Sequence, residues 1–270
     1  MDRSRPPAHF DLAAFVDGLQ ARGRYTFVRS ELIAAGGRAG PALEAALRRL
    51  RGKRRIATPR RGFHVVVPLE YREAGCPPAS WFVDDLLRAL RQPYYVGLLS
   101  AAALHGAAHQ QPISFQVVTD RPARPAVAGR VRIVFFQARR IAAVPVEERV
   151  TETGTMRVST PEATAFDLVH LPHGAGGWSQ IATVLGELAD RIAGEKLALL
   201  APTYPVPVVQ RLGFLLEALG RESLAARLAE SLPGRRVRPV LLAPRERSLR
   251  TEKMSEPWKV VPNVALEPDI

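Results

Sequence analysis

Residues 38–68 read RAGPALEAALRRLRGKRRIATPRRGFHVVVP, a helical pattern followed by two strand-like runs around a Pro-Arg-Arg-Gly turn. Between Arg38 and Arg61, nine basic residues (Arg38, Arg48, Arg49, Arg51, Lys53, Arg54, Arg55, Arg60 and Arg61) face one acid, Glu44, for a local net charge of +8. Over residues 40–51, Leu43, Ala46, Leu47 and Leu50 share one helical face, while Ala45, Arg48 and Arg49 project with Arg38 to the other. Pro59 and Gly62 supply the turn between strands expected at 55–58 and 63–68, with Arg60 and Arg61 at its tip. Helix, turn and hairpin in this order, with charge on the outer helix face and the hairpin tip, predict a DNA-binding winged helix.

The preceding residues complete that pattern. Leu12, Phe15, Val16 and Leu19 recur at helical spacing and predict a first helix closed by Gly23. A short strand over 25–27 leads to a second helix over 29–35 with Ser30 near its start, and Gly36-Gly37 makes the turn. Residues 1–68 hold 14 bases and 5 acids, whereas the other 202 residues hold 24 and 21, so most of the chain's +12 sits in the first quarter. Such a patch attracts the phosphate backbone by a salt-sensitive, sequence-independent force. A run of Lys and Arg can be merely a solvated face, but here it coincides with helix-turn-helix order and a wing. The expected DNA-binding set is Arg29, Ser30, Arg38, Arg48, Arg49, Lys53, Arg54, Arg55, Arg60 and Arg61. The third helix has no Asn or Gln to favour adenine, so most of these arginines are expected on phosphates, and Arg48 and Arg49 on phosphates or guanine edges.

The length of 270 residues and a hydrophobic content of 47% suit two ordinary domains with real cores. We divide the chain into a winged-helix domain at 1–70, a Pro- and Gly-containing connector at 71–79, and a mixed α/β domain at 80–270. The fold class expected is α+β, a winged helix-turn-helix followed by a mixed α/β C-terminal domain. One cysteine, Cys76, excludes an internal disulfide framework, and no apolar run approaches a membrane span, which together place the chain in the cytoplasm. In the second part, Val83, Leu86, Leu87 and Leu90 mark a helix opened by Ser80, and a small-residue helix over 97–106 follows Tyr94-Tyr95-Val96. Strands are expected at 113–119, 131–136 and 156–158. Thr160-Pro161-Glu162 is a strong helix start, with an N-cap, a proline at the first helical position and an acid in the first turn. Further helices are expected at 180–192, 208–219 and 223–232, with apolar segments at 237–242 and 258–264.

Catalytic signatures are lacking. A nucleotidyltransferase would show Gly-Ser before spaced aspartates on a strand, but Asp84-Asp85 falls on an amphipathic helix. A restriction-type nuclease needs carboxylates on neighbouring strands, and 113–119 and 131–136 contain none; Gly-Lys-Ser and Gly-Lys-Thr are absent too. His105 and His109 are four apart and His170 and His173 three apart, but without a Glu between the first pair packed or capping histidines are the simpler reading. Ser100 near His105 lacks the glycines of a nucleophile elbow, and Cys76 reads as an ordinary thiol. No catalytic residue, metal or cofactor is therefore expected. A second basic set, Arg121, Arg124, Arg130 and Arg132 with Arg139 and Arg140, flanks the strands of the second part. It is read either as a further polyanion surface, with Arg130 and Arg132 on one strand face, or as scattered surface charge.

The order of a winged helix, then Tyr94-Tyr95-Val96-Gly97-Leu98-Leu99-Ser100-Ala101-Ala102-Ala103-Leu104-His105-Gly106, then Ile113-Ser114-Phe115-Gln116-Val117-Val118-Thr119, resembles the AbiEi antitoxins of type IV toxin–antitoxin systems. The segment 156–169 from Met156 to Val169, Arg211-Leu212-Gly213-Phe214-Leu215-Leu216 and Trp258-Lys259-Val260-Val261-Pro262-Asn263-Val264 fit the same family. The resemblance implies a non-enzymatic protein of two roles. The N-terminal module would bind repeats in its own promoter and repress the operon, with Arg48, Arg49, Arg60 and Arg61 where that family carries its DNA-binding charge. The C-terminal domain would counter a nucleotidyltransferase-like toxin without a stable complex. The alternative is a stand-alone transcriptional regulator whose C-terminal domain senses a ligand or dimerises.

Overall fold

Asp11 starts the first helix in the computed structural model, which describes residues 10–107, 112–246 and 253–266. Its carboxylate accepts from the amides of Ala13 and Ala14, capping α1 (Leu12–Ala21), whose Leu12, Val16 and Leu19 are buried. After β1 (Thr26–Val28) come α2 (Arg29–Ala34) and α3 (Pro41–Gly52). Pro41 opens α3 at a position where its missing N–H costs nothing, and Leu43, Leu47 and Leu50 turn inward. Strands β2 (Ile56–Arg60) and β3 (Phe63–Val66) form the wing, and the three strands run β1-β3-β2, all antiparallel. Leu12, Leu19, Phe27, Leu32, Leu47 and Ile56 share one core beneath the three helices. This is a winged helix-turn-helix.

The wing is tighter than its composition predicts. Ile56 pairs with Val66 and Ala57 with Val65, but Arg60 pairs with Phe63, so one extra residue is accommodated between Ala57 and Arg60. Pro59 lies in this bulge, where a residue without an N–H breaks no ladder bond. The strand thus runs through the expected turn, leaving only Arg61-Gly62 to reverse the chain, with Gly62 at φ +80°.

Next come α4 (Val83–Ala89), β4 (Tyr94–Val96), α5 (Leu98–Leu104), β5 (Phe115–Thr119), β6 (Ala126–Ala128), β7 (Val131–Gln137), β8 (Val146–Thr151) and β9 (Gly154–Ser159). Ser80 does not open α4; it lies in a 3₁₀ turn, Ala79–Trp81, and the helix begins at Val83 without a side-chain cap. The six strands run β6-β7-β5-β4-β9-β8, with β4 antiparallel to β5 and parallel to β9. Ile113 lies outside β5 and is 99% exposed. Strands β6 and β8, absent from the sequence expectation, occupy the two edges.

The remaining elements are α6 (Pro161–His170), α7 (Trp178–Leu188), α8 (Gly194–Leu200), α9 (Val206–Ala218), α10 (Glu222–Ala229) and the parallel pair β10 (Val240–Leu241) and β11 (Val260–Val261). Thr160 caps α6 as its sequence predicts, accepting from the Ala163 amide at 3.4 Å. Helix α6 packs against α5, α7, α8 and α9, and every residue from Glu162 to Val169 is buried, the pattern of a central helix. Its buried polar groups are bonded: Glu162 accepts from the Ala193 amide at 2.9 Å, and Thr164 shares a 2.7 Å bond with Ser159.

The chain divides into two compact units. One holds the described residues up to Pro93 with Arg124–Val134 and Arg149–Met156; the other holds Tyr94–Ala123, Phe135–Glu148 and the described residues from Arg157 onward. In the first, the Thr26 hydroxyl donates to Asp85 at 2.5 Å, and Tyr25 and Tyr71 pack edge-on against Trp81. No helix among the described residues is long and apolar enough to cross a membrane.

Candidate functional site

The basic residues of the winged helix fall into two groups. Arg48 and Arg49 are exposed on the outer face of α3, Arg38 in the turn before it and Lys53 at its C-cap. Ser30 is exposed in the first turn of α2, and Arg61 in the two-residue turn of the wing. The other four are bonded to other parts of the protein. Arg29 pairs with Glu44 and so ties α2 to α3, and Arg55 pairs with Asp17 of α1. Arg54 donates to the carbonyls of Arg72 and Glu73, both at 3.3 Å. Arg60 donates to the Arg124 carbonyl; partial burial, then the neighbouring Arg124 charge, lowers its pKa. Behind the face, His64 stacks on Phe27 with ring centroids 5.0 Å apart and shares a 3.0 Å bond with the Thr58 hydroxyl. Burial, reinforced by Arg51, brings its pKa down to about 4 and keeps the imidazole neutral.

The second basic set does not form one strand face. Arg130 is in the Gly129-Arg130 turn between β6 and β7 and pairs with Glu73 at 3.2 Å, while Arg132 is exposed on β7 opposite Val127. The turn precedes the strand, so period-two alternation does not apply to Arg130. Arg124 precedes β6 in the same unit. Arg121 belongs to the other unit, beside Asp120 at 3.5 Å.

That second unit contains a cavity of about 550 Å³ whose lining includes Tyr95, Asp167, His170, Tyr204, Arg139 and Arg140. Asp167, on α6, is only 2% exposed. One of its carboxylate oxygens accepts from the Tyr95 hydroxyl at 2.8 Å and the other from the Tyr204 hydroxyl at 2.9 Å. Burial pushes the Asp167 pKa up to about 7 despite both hydrogen bonds, which act the other way. Burial and the facing carboxylate raise both tyrosines. Burial lowers the pKa of His170. Arg139 and Arg140 are exposed, so the cavity runs from a cationic rim to an acidic floor. The sequence alone did not reveal this group, because Tyr95 and Tyr204 lie 72 and 37 residues from Asp167 and no local spacing signals it.

The other chemical candidates have structural partners. The Ser100 hydroxyl accepts from the Gln116 amide at 2.9 Å, joining α5 to β5. His105 caps α5 and bonds the Ser159 carbonyl at 2.7 Å; His109 lies outside the described residues. His173 tilts against Phe136. Asp84 pairs with Arg88 and Asp85 accepts from Thr26. Cys76 is buried, and its thiol pKa is pushed up to about 12. Among the described residues no three His, Cys, Asp or Glu side chains are grouped to hold a metal ion.

No curated sequence matches the chain. The crystal structure of the Rv2827c protein from Mycobacterium tuberculosis matches it with a TM-score of 0.64, covering 92% of this chain and 90% of that one. At 20% identity this is a likeness of fold. Residues 95–218, which include Tyr95, Asp167 and Tyr204, match the family described as the AbiEi antitoxin C-terminal domain. That stretch of the chain is therefore similar to the AbiEi antitoxin C-terminal domain.

Proposed function

We propose that this protein is an antitoxin and autorepressor that binds its own promoter through the winged helix, residues 1–70, and counters a nucleotidyltransferase-like toxin through the C-terminal domain. The observation that carries the DNA-binding half is the set of exposed cations on one recognition element: Arg48 and Arg49 on the outer face of α3, with Arg38 before it and Arg61 on the wing. None of these four forms an ion pair with a described residue, so docking on phosphate breaks no ion pair among the described residues. Arg29, Arg54, Arg55 and Arg60 hold the module together and contribute mainly to its positive field. The antitoxin half is supported by the similarity of residues 95–218 to the AbiEi antitoxin C-terminal domain.

The test is a titration of the purified chain against its own upstream DNA and a scrambled duplex, at two salt concentrations. Sequence preference that survives the higher salt is the expected result. Arg48→Glu with Arg49→Glu should abolish that preference and still neutralise the toxin on co-expression, because both side chains point away from the core. Equal, salt-abolished binding of both duplexes would remove the repressor role. Loss of neutralisation in the folded double variant would join the two functions.

A further inference from the structure

The cavity of the second unit has a polarity that specifies its occupant. Tyr95 and Tyr204 have each given their only hydroxyl proton to Asp167. Once Asp167 is ionised, above about pH 7, what remains at the floor is a set of acceptors: lone pairs on the Asp167 oxygens and on both phenol oxygens. A ligand reaching this floor must therefore bring N–H or O–H donors, because another acceptor would meet only oxygen lone pairs. At the rim, Arg139 and Arg140 present two exposed guanidiniums with donors alone, the geometry that takes phosphate or carboxylate. The side wall adds His170, which burial keeps toward its neutral form, leaving the rim arginines as the principal cationic feature of the lining. The volume, about 550 Å³, lies inside the range of small-ligand sites, about 300–1,000 Å³.

We propose that this cavity binds a nucleoside monophosphate with an amino-bearing base, the base donating to the Asp167 floor and the phosphate held by Arg139 and Arg140. Guanine, whose N1–H and amino group lie side by side, meets a carboxylate with two parallel donors; cytosine brings an amino group. Uracil is the discriminating control, because it offers a single N–H flanked by two carbonyl oxygens that the acceptor floor repels. This assignment concerns the second unit only and stands or falls separately from promoter binding.

Calorimetric titration of the full-length protein with GMP, CMP, UMP and inorganic phosphate, at a pH above the Asp167 pKa of about 7, tests it. Saturable binding of GMP or CMP, at least about tenfold tighter than UMP, is expected from the cost of an unmatched polar pair. Arg139→Glu with Arg140→Glu changes exposed side chains and should weaken that binding by at least about tenfold while leaving the melting temperature unchanged. Asp167→Asn, which puts an amide donor on the floor, should erase the preference over UMP if it folds; the rim variant tests the site independently of that outcome. No saturable binding of GMP or CMP at millimolar concentration overturns the proposal. So does equal affinity for GMP, UMP and inorganic phosphate, which would reduce the cavity to an anion-binding rim, or full affinity in the rim variant.

Discussion

Two glycines in neighbouring helices should respond to the same substitution with opposite signs. Gly213 lies mid-way along α9, and the indole of Trp258 rests directly on its backbone, so that a Cβ there would fall on the ring atoms Cη2, Cζ3 and Cζ2. The ring cannot step aside. Its N–H donates to Glu217 at 2.7 Å, its residue's carbonyl accepts from Gln210 at 2.7 Å, and the side chain is 1% exposed. Gln210, Gly213 and Glu217 share one face of α9 and clasp the indole between them. Gly186, near the end of α7, has ordinary helical dihedrals, and a Cβ there meets only Leu219 Cδ2 at 4.0 Å. Replacing Gly by Ala inside a helix is worth about 1 kcal/mol where space allows. Gly186→Ala should therefore gain about 0.5–1 kcal/mol. Gly213→Ala receives the same propensity gain but must displace a locked indole, and overpacking of this kind costs about 1–3 kcal/mol or more. With Trp258 bonded at both ends we place the loss at the upper end, for a net destabilisation of about 2 kcal/mol and a gap between the variants of about 3 kcal/mol. Urea unfolding followed by far-ultraviolet dichroism and tryptophan emission reads both. A Gly213→Ala protein as stable as wild type, with unchanged emission, would refute the picture of Trp258 pinned on α9.

Other outcomes follow from charge. Asp167 holds its proton to about pH 7 when folded but ionises near 3.8 when unfolded, so the unfolded chain binds fewer protons across that interval and stability falls as pH rises through it. The effect approaches about 4 kcal/mol at full ionisation; Asp167→Asn should flatten the profile above pH 4, and an unchanged slope in a folded variant would contradict it. His64 acts in the opposite sense: its folded pKa of about 4 lies below the ordinary 6.5, so its stabilisation is complete above pH 6.5 and is lost as pH falls toward 4, by up to about 3 kcal/mol. Hydrogen exchange at pH 7 and pH 5 should then show the winged-helix amides losing protection while amides of α6 gain it; parallel changes in both would count against these assignments. On the wing, Arg61→Glu should weaken promoter binding and lower the salt slope by about 1, whereas Arg60→Ala, which loses its bond to the Arg124 carbonyl, should alter stability more than DNA affinity.

The winged helix was legible because its information is local. Leu43, Leu47 and Leu50 repeat at helical spacing, Pro41 and Asp11 mark helix starts, and the basic residues fall on the polar side of that repeat. In the second part the same holds for α6, whose Thr160-Pro161-Glu162 start is visible in three residues. The missed strands were both sheet edges. β8, Val146-Glu147-Glu148-Arg149-Val150-Thr151, carries three charges, and β6 has only three residues between Pro125 and Gly129; edge strands are kept short or charged, which weakens the very pattern that reveals a strand.

Local chemistry thus determined most of the elements, the placement of charge on the first quarter of the chain, and the family likeness carried by the order of its segments. Tertiary structure decided which of those charges are spent: among the described residues, Arg29, Arg54, Arg55 and Arg60 bind internal acceptors and Arg48, Arg49 and Arg61 do not, a distinction set by what lies across from each side chain in space. It also assembled Tyr95, Asp167 and Tyr204 from β4, α6 and the turn before α9. Burial raises the pKa of this carboxyl and the two tyrosines fix its orientation, and neither is encoded within a few residues of Asp167.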